Sequence, residues 1–291
     1  MNQTEAQSAT STRIGRATFA WGTRTFVMGI VNVTPDSFSG DGLLDPGAPG
    51  LSGSRGAPAS NAVALARTMA EEGADLLDVG GESTRPGHAA VHAADEIRRV
   101  VPIVAAIRGA LPSMPISIDT TKPAVAAAAI DAGADLVNDV WGVGEDDALV
   151  RLAAERRVPI VLMHNRAEPR YRDLMAEVAD DLERAIERAL RVGVAWTDIL
   201  VDPGFGFGKT AEHNLVLLRE LGSLRRLGRP ILLGASRKST LGKVLDLPAN
   251  ERLEATIATT VLGIAGGADI VRVHDVQPNV RAARMTDAVL R

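Results

Sequence analysis

The stretch Gly-Ala-Asp-Leu-Leu at residues 73–77 decides the fold, because it returns as Gly-Ala-Asp-Leu-Val at 133–137 and as Gly-Ala-Asp-Ile-Val at 267–271. Each copy follows an alanine-rich stretch of helical composition, and glycine is favoured where a helix ends in a left-handed residue. The apolar residues after each Asp suit a buried parallel strand. The copies lie 60 and 134 residues apart, which corresponds to two and four units of about 30 to 34 residues, the length of one strand plus one helix.

Further apolar runs continue this period along the chain. They predict strands at 26–33, 76–80, 115–119, 136–140, 159–163, 199–202, 230–234 and 270–273. Helical patterns lie between them, most clearly at 173–192, 211–221 and 252–264. Eight alternating units predict a single α/β domain over residues 19–291, a (β/α)8 TIM barrel. An open doubly wound sheet is the alternative.

Three segments depart from this rhythm. Residues 1–18 are rich in Ser and Thr and predict a disordered tail, without the apolar centre of a secretory signal. Residues 17–25, with Gly22 in a turn, predict a short hairpin that closes the floor of the barrel. Residues 40–60 contain six glycines, three prolines and three serines, which predicts an irregular loop. Because it follows the first strand, on the face where barrel active sites form, both a lid and a solvated insertion fit it.

Composition excludes several classes of function. The chain has 291 residues and a net charge of -4, so it lacks the basic excess of a nucleic-acid or acidic-membrane binder. It has no cysteine, which excludes disulfides and thiol catalysis. Its longest charge-free stretch, at 255–268, is shorter than the roughly 20 residues of a membrane span. Only nine residues are aromatic, which disfavours a carbohydrate enzyme or a base-stacking module. We expect a cytoplasmic protein.

Polar residues stand where the apolar runs end, and a barrel gathers the carboxyl ends of its strands at one rim. They are Asn32, Glu82 to Arg85, Asp119, Asn138, Asp139, Met163 with His164, Asp202, Ser236 to Lys238, Arg272 and His274. The cations and amides suit an anion such as phosphate. The carboxylates offer acceptors to N–H groups of a polar ligand. We therefore predict one site for a ligand with a donor-rich ring and a phosphate tail.

A glycine-rich segment, DPGFGFGKT at 202–210, invites comparison with phosphate-binding loops. The Walker pattern requires a glycine at Pro203, and the dinucleotide pattern requires one at Lys209. Both matches fail by one position. Paired carboxylates also raise a glycosidase mechanism, which the shortage of aromatic residues disfavours.

The ordered motifs of the chain resemble those of the dihydropteroate synthase family. They are MGIVNVTPDSFS at 28–39, DVGGESTRPG at 78–87, SIDT at 117–120, VNDV at 137–140, DPGFGFGK at 202–209, SRKS at 236–239 and RVHD at 272–275. Together they span nearly the whole chain. One departure lies in the first loop, where the family pattern Ser-Asp-Gly-Gly is replaced by Ser-Gly-Asp-Gly at 39–42.

The resemblance implies condensation of 6-hydroxymethyl-7,8-dihydropterin diphosphate with 4-aminobenzoate by a cytoplasmic homodimer that uses Mg²⁺. It implies that the pterin is bound by Asp119, Asn138, Met163, Asp202 and Lys238. It implies that the diphosphate is bound by Asn32, Thr84, Arg272 and His274, with Asn32 also a ligand of Mg²⁺. It implies that the aminobenzoate pocket is formed by Arg85, Pro86, Phe207, Lys238 and Ser239.

We expect catalysis by Asp119, Asp202, Lys238, Arg272 and His274. The mechanism we favour is dissociative, with the bond to diphosphate breaking before the arylamine attacks. Two other functions stay open. One is a non-catalytic paralogue that binds a pterin. The other is a methyl-tetrahydrofolate methyltransferase, which would need no diphosphate-binding residues.

Overall fold

The computed structural model describes residues 11–33, 58–82 and 91–291. These residues form ten strands and nine α-helices, with short 3-10 turns between some of them. The strands are β1 Ser11–Ile14, β2 Ala17–Ala20, β3 Phe26–Asn32, β4 Leu76–Gly80, β5 Ile116–Asp119, β6 Leu136–Asp139, β7 Ile160–Met163, β8 Ile199–Asp202, β9 Leu232–Leu233 and β10 Ile270–Val273. The helices are α1 Pro58–Glu71, α2 Ala93–Ala110, α3 Pro123–Asp131, α4 Ala148–Arg156, α5 Leu174–Arg191, α6 Ala211–Arg219, α7 Ser239–Leu245, α8 Leu253–Ala265 and α9 Val276–Leu290.

Strands β3 to β10 form one parallel sheet in the order β8-β7-β6-β5-β4-β3-β10-β9. A parallel bridge between Val201 and Ile231 joins its two outer strands, so the sheet closes on itself. Helices cover the outside, with each barrel strand followed by a helix. The predicted (β/α)8 TIM barrel is therefore confirmed, and the open-sheet alternative is wrong. The seventh barrel strand, β9, is shorter than predicted.

The repeated Gly-Ala-Asp works at the amino-terminal end of the barrel. Gly73, Gly133 and Gly267 all have φ near +100°, a conformation that ends the preceding helix. Each following Asp then accepts a hydrogen bond from the backbone N–H at the start of the neighbouring strand. Asp75 accepts from Val27, Asp135 from Ile116 and Asp269 from Ile231, at 2.8, 3.0 and 3.0 Å. The repeat therefore links β4 to β3, β6 to β5 and β10 to the residue before β9.

An antiparallel hairpin of β1 and β2 closes the barrel floor. Ile14 and Phe19 pack against Phe26, Met28 and other inward-facing strand residues in one buried apolar cluster. The predicted hairpin exists, but its turn lies at Gly15 and Arg16, and not at Gly22. The tail prediction is wrong for residues 11–18, because Ile14 in this Ser/Thr-rich segment packs, with the adjacent Phe19, over the open end of the core. Residues 1–10 lie outside the described part of the chain.

The predicted loop at 40–60 falls mostly outside the described residues. Its last three residues belong to α1, which begins at Pro58, since proline is favoured in the first helical turn. In the described ranges, no helix is both long and apolar enough to cross a membrane.

Candidate active site

The period of two residues along each strand places the polar side chains inside the barrel. In β3, Phe26 and Met28 belong to the inner apolar cluster, and Asn32 has the same parity. In β4, Leu76 is inner and Asp78 shares its parity. The same relation puts Asp119, Asn138, Met163, Asp202, Arg272 and His274 inside, above an apolar floor. The polar residues therefore form the upper layers of the barrel interior.

Asp139 has the opposite parity. Its neighbour Val137 belongs to the apolar cluster between the sheet and the helices, so Asp139 points away from the barrel interior. Its carboxylate accepts the backbone N–H of Trp141 at 2.9 Å. Burial raises the pKa of Asp139 to about 6. Of the two polar residues that end β6, only Asn138 belongs to the site.

Arg272 joins the two carboxylates at the centre of the site. Its Nε lies 2.6 Å from Asp78 Oδ2, and its Nη2 lies 2.9 Å from Asp119 Oδ2. Asn138 Nδ2 donates to the same Asp78 oxygen at 3.1 Å. The other oxygen of each carboxylate, Oδ1, is buried without a hydrogen-bond partner in the described protein. Because an unpaired buried acceptor is costly, these atoms mark positions for ligand donors.

Asp78 was missed by the sequence analysis as a site residue, although it lies within one of the quoted motifs. The available signal was an aspartate inside the apolar strand 76–80 (LLDVG), with inward parity. Its carboxylate orients Arg272 and Asn138 from below. It therefore positions two of the predicted residues.

Asp119 and Asp202 are both buried and hold their protons more tightly than exposed carboxyl groups. Burial raises the pKa of Asp119 to about 7, although the Arg272 guanidinium opposes this shift. Burial likewise raises the pKa of Asp202 to about 6, opposed by the Gly204 N–H and by Lys238. Gly204 donates to Asp202 Oδ1 at 2.7 Å. Shifted carboxyl groups of this kind are frequent in binding and catalytic sites.

Lys238 reaches the site from the loop after β9. Its Nζ lies 3.8 Å from the centre of the Phe207 ring, a cation–π contact. Gly206, with φ +83°, passes close to this side chain, since a Cβ there would lie 2.9 Å from Lys238 Cδ. Arg252 donates to the carbonyl of Lys238 at 3.3 Å. The glycine-rich segment therefore packs closely against the Lys238 side chain and positions it.

His274 and Ser239 lie at the same end of the barrel. His274 Nδ1 lies 3.0 Å from Ser236 Oγ, which also accepts the His274 backbone N–H at 3.2 Å. Ser239 begins α7 directly after Lys238 and is exposed. Asn32 ends β3 and is paired in register with Gly80, the neighbour of Asp119.

Three predicted residues fall outside the described part of the chain: Thr84, Arg85 and Pro86. The loop that carries them is bounded by Glu82, whose Oε1 accepts the N–H of Val91 at 2.7 Å. Lys122 forms ion pairs with Glu82 and with the fully buried Glu96. The two ends of this loop are thus fastened to each other and to the barrel.

Acidic acceptors and an arginine in a closed parallel barrel define a binding site for a polar, anionic small molecule. Residues 28–274 match the family of pterin binding enzymes, and the chain belongs to that family. The chain is 48% identical to the dihydropteroate synthase of Clostridium beijerinckii over 96% of its own length and 99% of the relative. It is 46% identical to that of Bacillus subtilis, over 92% and 89%.

Solved structures agree with this assignment. A dihydropteroate synthase from Clostridium difficile, determined in the presence of pteroic acid, is 46% identical with a TM-score of 0.85, covering 93% of this chain and 98% of that one. The Xanthomonas albilineans enzyme with 4-aminobenzoic acid is 40% identical with a TM-score of 0.87, covering 97% and 98%. Within its family the chain therefore groups with the dihydropteroate synthases, which are transferases of folate biosynthesis.

Proposed function

We propose that this enzyme condenses 6-hydroxymethyl-7,8-dihydropterin diphosphate with 4-aminobenzoate, giving 7,8-dihydropteroate and diphosphate. The observation that carries this proposal is the unpartnered Oδ1 of Asp119, buried beside Arg272. A pterin edge supplies the amino and ring N–H donors that such an acceptor needs, and its diphosphate suits the nearby cations. Structures of similar synthases were solved in the presence of pteroic acid or with 4-aminobenzoic acid, which agrees with this ligand class.

The pterin ring would lie on the inner polar layer of the barrel. Asp119 and Asp202 would accept its N–H groups, while Asn138 and Lys238 would donate to its carbonyl and ring nitrogens. Met163, 2% exposed and paired in register with Asp202, would pack against the face of the ring. These contacts require both carboxylates to be ionised.

The diphosphate would lie at the mouth of the barrel, on Arg272 and His274, with Thr84 from the second loop. Asn32 would be the single protein ligand of Mg²⁺, because it presents an amide oxygen at the carboxyl end of β3. The described ranges contain no group of three acidic or histidine side chains that could hold a metal by themselves. Magnesium favours phosphate oxygens and water and needs few protein ligands. When bound, it would offset the negative charge of the leaving diphosphate.

The 4-aminobenzoate pocket would be formed by Phe207 and Lys238, with Ser239 at its edge and Arg85 and Pro86 from the second loop. Phe207 offers an apolar wall to the benzene ring. The Lys238 ammonium, held over that wall, would bind the carboxylate.

The mechanism we propose breaks the exocyclic C–O bond first, so that diphosphate departs with the bonding electron pair. Arg272 and His274 would stabilise the departing anion. Asp119 and Asp202, ionised by contact with the ring, would stabilise the positive charge left on the pterin. The aniline nitrogen then forms the new C–N bond, and its proton passes to solvent. An aniline nitrogen is already nucleophilic, so the protein need supply no base.

The test is an assay of diphosphate release with and without 4-aminobenzoate, together with detection of 7,8-dihydropteroate. We expect release coupled to product formation. Pterin binding without release would instead identify a non-catalytic pterin-binding protein. Methyl transfer from a methylated folate, with no diphosphate released, would identify a methyltransferase.

We propose a homodimer formed through the outer faces of α7, α8 and α9. These helices carry most of the exposed large apolar side chains of the described residues: Val244, Leu245, Val261, Leu262, Met285, Val289 and Leu290. Exposed apolar side chains concentrated on neighbouring helices are typical of a subunit interface. Sedimentation of Leu262→Glu should show a monomer. The matched control Leu190→Glu, on the exposed face of α5, should stay dimeric.

The cytoplasmic location stays a prediction, to be checked by cell fractionation.

A further inference from the structure

Lys209 is the last residue of the glycine-rich segment that follows β8, and none of the roles above uses it. Its Nζ donates to the Phe207 carbonyl at 3.1 Å and contacts His164 Nδ1 at 2.9 Å. No carboxylate of the described chain lies within 4 Å of this ammonium group. Burial lowers the pKa of Lys209 to about 7, and the negative charge of Asp202 opposes this shift. A partly buried lysine without an ion-pair partner is costly, so it calls for a function.

His164 fixes the orientation of this ammonium. Since an ammonium only donates, Nδ1 of His164 must accept, and its Nε2–H donates to Asp181 Oδ2 at 3.1 Å. Burial, with the neighbouring Lys209 charge, lowers the pKa of His164 to about 3, so the ring is neutral. Arg166 holds the same Asp181 oxygen at 2.7 Å. The result is an ordered chain of hydrogen bonds from Asp181 through His164 to Lys209.

The end of this chain lies against the turn that presents Asp202. A Cβ on Gly204 would lie 3.3 Å from Lys209 Nζ, and Gly204 N–H donates to Asp202 Oδ1. The His164 backbone N–H also donates to the Asp202 carbonyl at 2.9 Å. Lys238 and Arg272 are the other cations whose charge acts on Asp202, and both are among the residues proposed to contact the ligand. Of these three cations, Lys209 is the one without a proposed ligand contact, and it lies against the Gly204 turn.

We propose that Lys209 is a positioning residue, held by His164 and Asp181, whose ammonium stabilises the ionised Asp202 that receives the pterin ring. This inference rests on the proposed function for the identity of the ligand. The proposed role is to act on the ligand through Asp202. It acts while its ammonium is charged, so its contribution belongs to the pH range below about 7 and disappears as the pH rises above that value.

The test measures the affinity of 6-hydroxymethylpterin by calorimetry from pH 5.5 to 9, in the wild type and in Lys209→Met. An opposite charge nearby lowers a carboxyl pKa by about one unit or more. The variant should therefore bind the pterin roughly tenfold more weakly than the wild type at pH 6. Above pH 8 the two proteins should bind equally, because Lys209 of the wild type has lost its charge. Methionine replaces a buried cation, so the melting temperature should not fall. Coincident curves would overturn the proposal, and so would an equal loss at every pH, which indicates direct contact or general damage.

A second pair of variants keeps the test independent of the folding of Lys209→Met. His164→Asn keeps an acceptor near the position of Nδ1 and should retain the wild-type pH curve. His164→Leu removes the acceptor and should weaken binding below pH 7 only. Equal curves for the two would contradict the proposal. A wild-type protein that binds no pterin at any pH would refute the proposed function itself, which is a separate outcome.

Discussion

Replacing Asp119 by asparagine removes one negative charge from the centre of the site and keeps the size of the side chain. The asparagine Oδ1 can still accept the hydrogen bond from Arg272 Nη2, which spans 2.9 Å in the wild type. The amide nitrogen then takes the place of the unpartnered carboxylate oxygen. In the proposed complex a donor would thus face the N–H groups of the pterin, where the wild type offers an acceptor.

The expected loss follows from this exchange. A hydrogen bond to a charged group contributes about 1.5 to 3 kcal/mol, and about 1.4 kcal/mol corresponds to tenfold in affinity. Asp119→Asn should therefore bind 6-hydroxymethylpterin about 10- to 150-fold more weakly at pH 8. Diphosphate release should slow as well, because in the proposed mechanism the same carboxylate stabilises the pterin cation. Calorimetry and a rapid-quench assay of diphosphate measure the two effects.

Asp139→Asn is the matched control, since Asp139 is similarly buried at the end of the neighbouring strand and faces away from the barrel interior. Asparagine can accept the same N–H from Trp141. Its pterin affinity should change by less than about threefold, or roughly 0.6 kcal/mol. Equal losses in the two variants, or diphosphate release at the wild-type rate in Asp119→Asn, would refute the role given to Asp119.

Three other perturbations have defined outcomes. Phe19→Ala should lower the free energy of unfolding by about 3 kcal/mol, because this 2% exposed ring packs 4.7 Å from that of Phe26. Urea titration measures this loss, and an unchanged pterin affinity of the folded variant would show that the barrel floor has a structural role only. Gly206→Ala should raise the KM for 4-aminobenzoate several-fold, because the added Cβ displaces Lys238. Gly193→Ala is the control: Gly193 also has a positive φ, +100°, but has open space around it. Both variants should lose stability, and only Gly206→Ala should change the KM. Folded Asp119 holds its proton up to about pH 7, so its contribution to stability falls as the pH rises from about 4 to 7. The melting temperature of Asp119→Asn should therefore rise relative to that of the wild type across this range. A constant difference between the two melting temperatures would contradict the raised pKa.

Much of the fold followed from the sequence, because its determinants are local and repeated. Each of the three Gly-Ala-Asp copies marks the end of a helix and the start of a strand, and their spacing gives the length of the eight strand-plus-helix units that close into one barrel. The strand-end rule also found Asn32, Asp119, Asp202 and Arg272. The errors fell where local composition conflicts with long-range burial. Residues 11–18 have the composition of a tail, yet Ile14 is needed to close the floor of the barrel.

Other features were decided by the tertiary structure alone, since they depend on contacts between residues far apart in sequence. Arg272 meets Asp78 across 194 residues and Asp119 across 153, so no local pattern shows that it joins the two carboxylates. The same holds for the chain from Asp181 through His164 to Lys209. The shifted pKa values of Asp119 and Asp202 arise from burial, which exists only once the barrel has closed. The sequence by itself determined which side chains reach the rim. The closed barrel decided which of them form ion pairs and hydrogen bonds with one another, because those contacts join residues far apart in sequence.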